Sequence, residues 1–140
     1  MDTSEQYIKM CDCPEIQDNK VIQWEWGYYF YGKAVSRFGD DIWEEDLYRQ
    51  YPCEEDCFYE VLPYGRVIKL PRQDQLQDMI WKNGITANDM FIATLLRFYE
   101  WFKNTPRPDV TTIEQLWLCF VMKAKHNKAW DGEKWKLSQS

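Results

Sequence analysis

The stretch TANDMFIATLLRFYEWFK, residues 86–103, constrains the fold more than any other part of the chain. Thr86 can cap a helix with Asp89 three residues later, and Lys103 places a cation at the far end, so a helix is predicted. Its polar positions fall on one narrow stripe at a 3.6-residue period, which leaves apolar groups around most of the circumference. Arg97 and Glu100 interrupt the run before it reaches the roughly 20 apolar residues of a membrane span. The pattern therefore predicts the central core helix of a soluble domain.

Chain length and charge limit the number of domains and the kinds of partner that the protein can have. A chain of 140 residues is typical of one domain, and we predict a single domain over residues 1–140. Aromatic residues make up 17% of the chain, which excludes a disordered polypeptide. The net charge of −6 is uneven, because residues 40–60 hold nine acids against Arg49 alone, a local −8. Such a segment repels a phosphate backbone, so we expect no direct nucleic-acid binding.

The opening residues and the cysteines indicate a compartment. The first five residues do not begin a signal peptide, and the chain contains no apolar run of transmembrane length. The odd number of five cysteines then indicates reduced thiols. We expect a cytoplasmic protein that does not bind a membrane.

The start of the chain predicts a short helix followed by strands. Thr3 and Gln6 can form a capping box, and Pro14 should kink or stop the helix. Residues 21–38 contain β-prone runs separated by glycines, which predict a small antiparallel meander.

Two further segments complete the first half. Residues 40–51 carry apolar side chains at helical spacing and predict one or two exposed helical turns. Residues 57–62 and 66–70 flank Pro63-Tyr64-Gly65, a turn signal, and predict a hairpin.

The second half predicts helices. Pro71 can start a helix that runs to about Lys82. Thr111 and Glu114 can form a capping box at the start of the last helix. Asp131-Gly132 predicts a tight turn that folds two tryptophans back against the body. The fold class is therefore α+β, with small antiparallel hairpins in the first half packed on a C-terminal helical layer.

Three stretches carry a resemblance: Tyr7–Cys11, Leu70–Gln77, and the last part of the chain from Gln115-Leu116-Trp117-Leu118 through Phe120–Lys123 to Lys128–Gly132 and Trp135. They resemble a group of small phage and prophage proteins that has no established activity. The resemblance implies an origin in a mobile element and a bacterial cytoplasm, and it transfers no catalytic residue.

The residues that could support catalysis or bind a metal are few. The single histidine, His126, lies among lysines near a predicted helix C-terminus, where a solvated cation is favoured, and we assign it no catalytic role. Four thiolates from Cys11, Cys13, Cys53 and Cys57 could bind zinc, but their spacing differs from that of structural zinc sites. We expect free thiols, no metal and no cofactor, and we expect Cys119 to be a buried apolar group.

Clustered carboxylates form the first candidate binding site. The acidic set could bind a divalent cation, form a plain solvated face, or bind the basic surface of a host protein with salt-sensitive steering. Its members are Asp40, Asp41, Glu44, Glu45, Asp46, Glu54, Glu55 and Asp56.

Alternating aromatic residues form the second candidate site. If they share a strand, one of its faces points away from the core, where it could stack a nucleotide base or anchor a protein partner; burial on both faces is the alternative. The set is Trp24, Trp26, Tyr28, Tyr29 and Tyr31.

These sites lead to one functional hypothesis and two alternatives. The first is a non-enzymatic phage accessory protein that binds and inhibits a bacterial host protein with a basic surface. We expect that host protein to belong to an anti-phage defence system, and we expect binding through the acidic segment and the adjacent aromatic residues. The second is a binder that sequesters a nucleotide signal in an aromatic pocket. The third is a metal-dependent nuclease or nucleotide hydrolase.

Overall fold

The computed structural model describes residues 2–19, 29–36, 42–49, 61–80, 87–105 and 110–138, and the following statements concern these residues. A three-stranded antiparallel sheet in the first half and helices in the second half confirm the α+β class. The helices are α1 (Glu5–Cys11), α2 (Pro14–Gln17), α3 (Gln73–Asp78), α4 (Ala87–Asn104) and α5 (Ile113–His126). The strands are β1 (Tyr29–Ser36), β2 (Ile42–Arg49), β3 (Val61–Leu70), β4 (Lys128–Trp130) and β5 (Trp135–Leu137).

The chain divides into two compact units. One comprises Thr3–Pro71, and the other comprises Met1–Asp2 with Arg72–Ser140. The single domain over residues 1–140 stays a prediction.

The first unit is built on a sheet of strand order β2-β1-β3, with both pairs antiparallel. The prediction of helical turns over residues 40–51 is wrong for Ile42–Arg49, which form β2. Trp43 and Tyr48 lie on one face of the sheet with ring centroids 6.4 Å apart, although strict alternation would place them on opposite faces. A bulge between them changes the alternation, and the resulting irregular spacing resembled that of a helix.

The predicted hairpin over residues 57–70 is wrong in its described part, because β3 runs without reversal through Pro63-Tyr64-Gly65. Tyr64 pairs with Lys33 and Ile68 pairs with Tyr31, so β3 places extra residues opposite Gly32. Gly65 adopts a φ of +70° within this bulge. The turn-forming residues thus widen the strand instead of reversing it.

Gly32 is fixed by this close approach of β3. A Cβ built on Gly32 would lie 2.7 Å from Cγ1 of Val67, and the φ of +147° also disfavours other residues. Only a glycine lets β1 remain paired with both neighbours at this level.

Helices α1 and α2 pack against the end of β3. The side chain of Ser4, rather than that of Thr3, accepts a hydrogen bond from the Tyr7 N–H and caps α1. The Gln17 amide exchanges two hydrogen bonds with the Lys69 backbone, at 2.9 and 3.0 Å, in the manner of a neighbouring strand. The core of the described part of this unit includes the buried side chains of Tyr7, Met10, Cys11, Ile16, Phe30, Ala34 and Leu70.

Helix α5 is the core of the second unit. Every residue from Gln115 to Met122 except Leu116 is buried, and a buried run of more than two turns means that α5 is covered on all sides. Thr112, rather than Thr111, caps the helix by accepting the Gln115 N–H. Asp2 accepts hydrogen bonds from the side chains of Thr112 and Gln115 and places a carboxylate at the positive end of α5.

The prediction that α4 is the central core helix is wrong. Thr94 is buried, and the Phe98 ring stacks on Trp117 of α5 with centroids 4.1 Å apart, so only this side of α4 is covered. The opposite side exposes 57% of Ile92, 39% of Leu95, 60% of Leu96 and 57% of Tyr99. Periodicity shows which residues share a face, but another element must cover that face before it becomes core.

The predicted turn at Asp131-Gly132 is confirmed. The Asp131 carboxylate accepts the N–H groups of Glu133 and Lys134 at 2.8 Å, and β4 pairs with β5 behind it. Trp130 and Trp135 pack edge to face with centroids 5.1 Å apart. The helix predicted from Pro71 is shorter, since α3 covers Gln73–Asp78, and residues 81–86 lie outside the described part.

Candidate partner-binding surface

Three of the predicted carboxylates are neighbours on β2. Glu44, Glu45 and Asp46 are exposed, and none of them forms an ion pair with a described residue. Glu44 and Glu45 together oppose Lys33 in the bulge, while Asp46 pairs with Gly32. These three consecutive residues therefore form a run of exposed carboxylates along an outer strand of the described sheet, next to its bulge.

Two hydrogen bonds hold the backbone at this run. The Asp46 carboxylate accepts the Leu47 N–H at 2.8 Å, and the Tyr48 hydroxyl donates to the Glu44 carbonyl at 2.6 Å. Loss of hydration, and then the charges of Asp46 and Glu44, raise the pKa of the Tyr48 phenol above its usual range.

Tyr31 of β1 joins the acidic run to α1. Hydrogen bonding of its hydroxyl to Glu45 is the main cause of the raised pKa of Tyr31, and β2 places Glu45 two residues from Leu47, the pairing partner of Tyr31. The charges of Glu45, Asp46 and Glu5 raise the same pKa further. Carboxylates from β2 and α1 therefore act on one phenol.

A groove of about 490 Å³ follows α1 beside this tyrosine. It is lined by Thr3, Glu5, Ile8, Lys9, Asp12, Tyr31 and Ile68. Sequence reasoning missed the groove and the part played by Glu5. The sequence could have predicted that Glu5, Ile8, Lys9 and Asp12 share one helix face, because their spacing is that of a helix. It could not have predicted which strand lies opposite that face.

The other predicted site residues lie mostly outside the described residues. This holds for Asp40, Asp41, Glu54, Glu55 and Asp56 of the acidic set, and for Trp24, Trp26 and Tyr28 of the aromatic set. Tyr29 and Tyr31 are half-buried on β1, so the aromatic set is described only at its C-terminal end.

The thiols were the other candidate site. Cys11 is buried and Cys13 is half-buried, with its sulfur 3.7 Å from the Met10 carbonyl oxygen, while Cys53 and Cys57 lie outside the described residues. The described part of the chain contains no group of three or more His, Cys, Asp or Glu side chains placed to bind a metal. Burial raises the pKa of the Cys119 thiol to about 12, so this residue is an unreactive core group, as predicted.

His126, the remaining titratable candidate, is exposed at the last residue of α5. Among the described helices none is long and apolar enough to cross a bilayer.

The chain matches no family model, no curated protein and no solved structure.

Proposed function

We propose that this is a non-enzymatic binding protein whose β2 carboxylates dock on the basic surface of a partner protein. The observation that supports this function is the exposed run Glu44-Glu45-Asp46, which forms no ion pair with a described residue although Lys33 lies opposite it on β1. A solvated acidic face would serve solubility equally well if its charges were dispersed. Here they are concentrated on one strand, beside aromatic side chains.

The arrangement suits recognition because charge and apolar surface lie together. Neighbouring carboxylates steer a cationic surface toward the strand and raise the association rate, while Trp43 and Tyr48 offer half-buried rings that can be covered on docking. The strand is held on one side by β1, so it presents these groups without a large cost in ordering.

The identity of the partner follows from the resemblance to phage and prophage proteins. On that basis the partner is a bacterial host protein, and binding inhibits it as a countermeasure to an anti-phage defence system. The proposed site of action is the bacterial cytoplasm.

The two alternatives have less support. A nucleotide in the groove would bring its phosphates close to Glu5 and Asp12, which repel them, although Tyr31 could stack a base. The metal-dependent hydrolase has no supporting observation among the described residues.

Charge reversal on β2 tests the proposal. The variant Glu44→Lys/Asp46→Lys should lose capture of a bacterial partner from lysate, detected by mass spectrometry. With the partner that the parent protein captures, the variant should associate at least tenfold more slowly than the parent protein in about 50 mM salt. The difference should be smaller at higher salt, because screening weakens the electrostatic steering of the parent protein.

The matched control is Glu133→Lys, which alters an exposed carboxylate in the β4–β5 turn. It should leave the association rate unchanged. Capture that survives charge reversal on β2 at every salt concentration would contradict the proposed function.

A further inference from the structure

The groove beside Tyr31 has two unlike walls. Glu5, Ile8, Lys9 and Asp12 form one wall, because positions i, i+3, i+4 and i+7 share one face of α1. Tyr31 and Ile68 form the other wall, where β1 and β3 pair these two residues directly. Its volume of about 490 Å³ admits one long side chain between two apolar isoleucines.

Charge differs along the groove. At the end where α1 begins, each charged group that acts on the Tyr31 phenol is a carboxylate: Glu5 from α1, and Glu45 and Asp46 from β2. Farther along the helix wall Asp12 pairs with Arg66 at 3.3 Å, and Lys9, one turn after Glu5, supplies a positive charge between the two carboxylates. A cation is favoured beside the Tyr31 phenol, on which no described cation acts.

We propose that this groove binds an arginine side chain that projects from the basic partner protein. The guanidinium lies between Glu5 of the helix wall and Glu45, which β2 places two residues from Leu47, the pairing partner of Tyr31. There its planar donors can meet both carboxylates, and it stacks on the Tyr31 ring. The methylene stem covers Ile8 and Ile68. The inference deepens the proposed function and rests on it, since it identifies the anchoring group of the same partner.

Arginine suits these walls better than lysine does. Its planar fork can donate to Glu5 and Glu45 at once while one face covers an aromatic ring, whereas an ammonium is a compact and strongly hydrated point charge. We therefore expect a peptide with arginine to bind at least threefold more tightly than the same peptide with lysine.

The test uses the full chain and N-acetylated triarginine amide as the probe, followed by NMR of the isoleucine methyl groups. The methyl resonances of Ile8 and Ile68 should shift and saturate on titration, while those of Ile92 and Ile113, which do not line the groove, should not. Tricitrulline amide has nearly the same shape without the charge, and it should produce no saturating shift. Equal shifts with tricitrulline, or shifts confined to Ile42 of β2, would contradict the groove assignment.

Carboxylate variants separate the groove from a general acidic attraction. Glu5→Gln should weaken triarginine binding at least threefold. Glu44→Gln should change it less than twofold, because Glu44 lies on β2 but neither lines the groove nor acts on the Tyr31 phenol. If Glu5→Gln disturbs the fold of α1, Glu45→Gln tests the carboxylate that β2 places beside Tyr31. Equal losses for Glu5→Gln and Glu44→Gln would overturn the proposal.

The two proposals can fail separately, because the peptide titration needs no partner protein. Triarginine binding in the groove, together with partner capture that survives charge reversal on β2, would contradict only the proposed function. Capture that is lost on charge reversal, without any methyl shift at Ile8 and Ile68, would contradict only the arginine groove.

Discussion

Helices α4 and α5 are both rich in apolar and aromatic residues, but they have opposite surroundings. In α5 every residue from Gln115 to Met122 except Leu116 is buried, so buried side chains point in nearly all directions around the helix. In α4 the side that carries Thr94 and Phe98 faces α5, and the opposite side is exposed. The hydrophobic content of a helix therefore does not decide how many of its sides are buried.

The neighbours of the two helices explain the difference. Helix α5 contacts α3, receives the aromatic side chains of α4, and continues into β4 through Asn127, whose φ of +53° reverses the chain. Among the described residues, α4 is covered by α5 on one side only. Helix α5 has more neighbours because several other elements pack against it, and the topology of the chain decides which elements these are.

The largest expected effect is in α5. Leu118→Ala should lower the free energy of unfolding by about 2 to 5 kcal/mol, because the side chain is fully buried and its removal leaves a cavity. Chemical denaturation measures this loss. Met122→Ala should give a loss in the same range, and losses near zero for both variants would show that α5 is not the core.

An intermediate effect is expected where the two helices meet. Phe98→Ala removes a ring stacked on Trp117 and an edge contact with Phe120, but Phe98 is only half-buried. We expect a loss of about 1 to 3 kcal/mol, below the roughly 3 to 5 kcal/mol of a fully buried phenylalanine. The near-ultraviolet circular dichroism of the aromatic groups should change as well. A loss equal to that of Leu118→Ala would make both helices central and remove the distinction between them.

The smallest effect is expected on the far side of α4. Leu96→Gln should change the unfolding free energy by no more than about 0.5 kcal/mol, because Leu96 is 60% exposed and Gln has a similar helix propensity. Denaturation under the conditions used for Leu118→Ala provides the direct comparison. A loss above about 2 kcal/mol would mean that this side is covered in solution, by this chain or by a second copy.

The candidate surface could be predicted only in part. The sequence shows an excess of acidic residues around positions 44–46, and the structure exposes these three side chains, as expected for charged groups. Their strand conformation was missed, because the bulge opposite Lys33 disturbs the alternation that identifies a strand. Glu5 was missed for another reason: it reaches Tyr31 only because α1 lies beside β1, a contact between residues that are far apart in the chain.

Local chemistry was determined by the sequence itself. The start of α1, the caps within one residue, the Asp131-Gly132 turn and the α+β class follow from hydrogen-bonding groups and backbone preferences that act over a few residues. Tertiary packing determines that β3 continues through Pro63-Tyr64-Gly65, that α5 rather than α4 is covered, and that Glu5 and Glu45 lie near Tyr31. These outcomes depend on which segments pack together, and burial and pairing between distant segments can outweigh local preferences that differ by about 1 kcal/mol or less per residue.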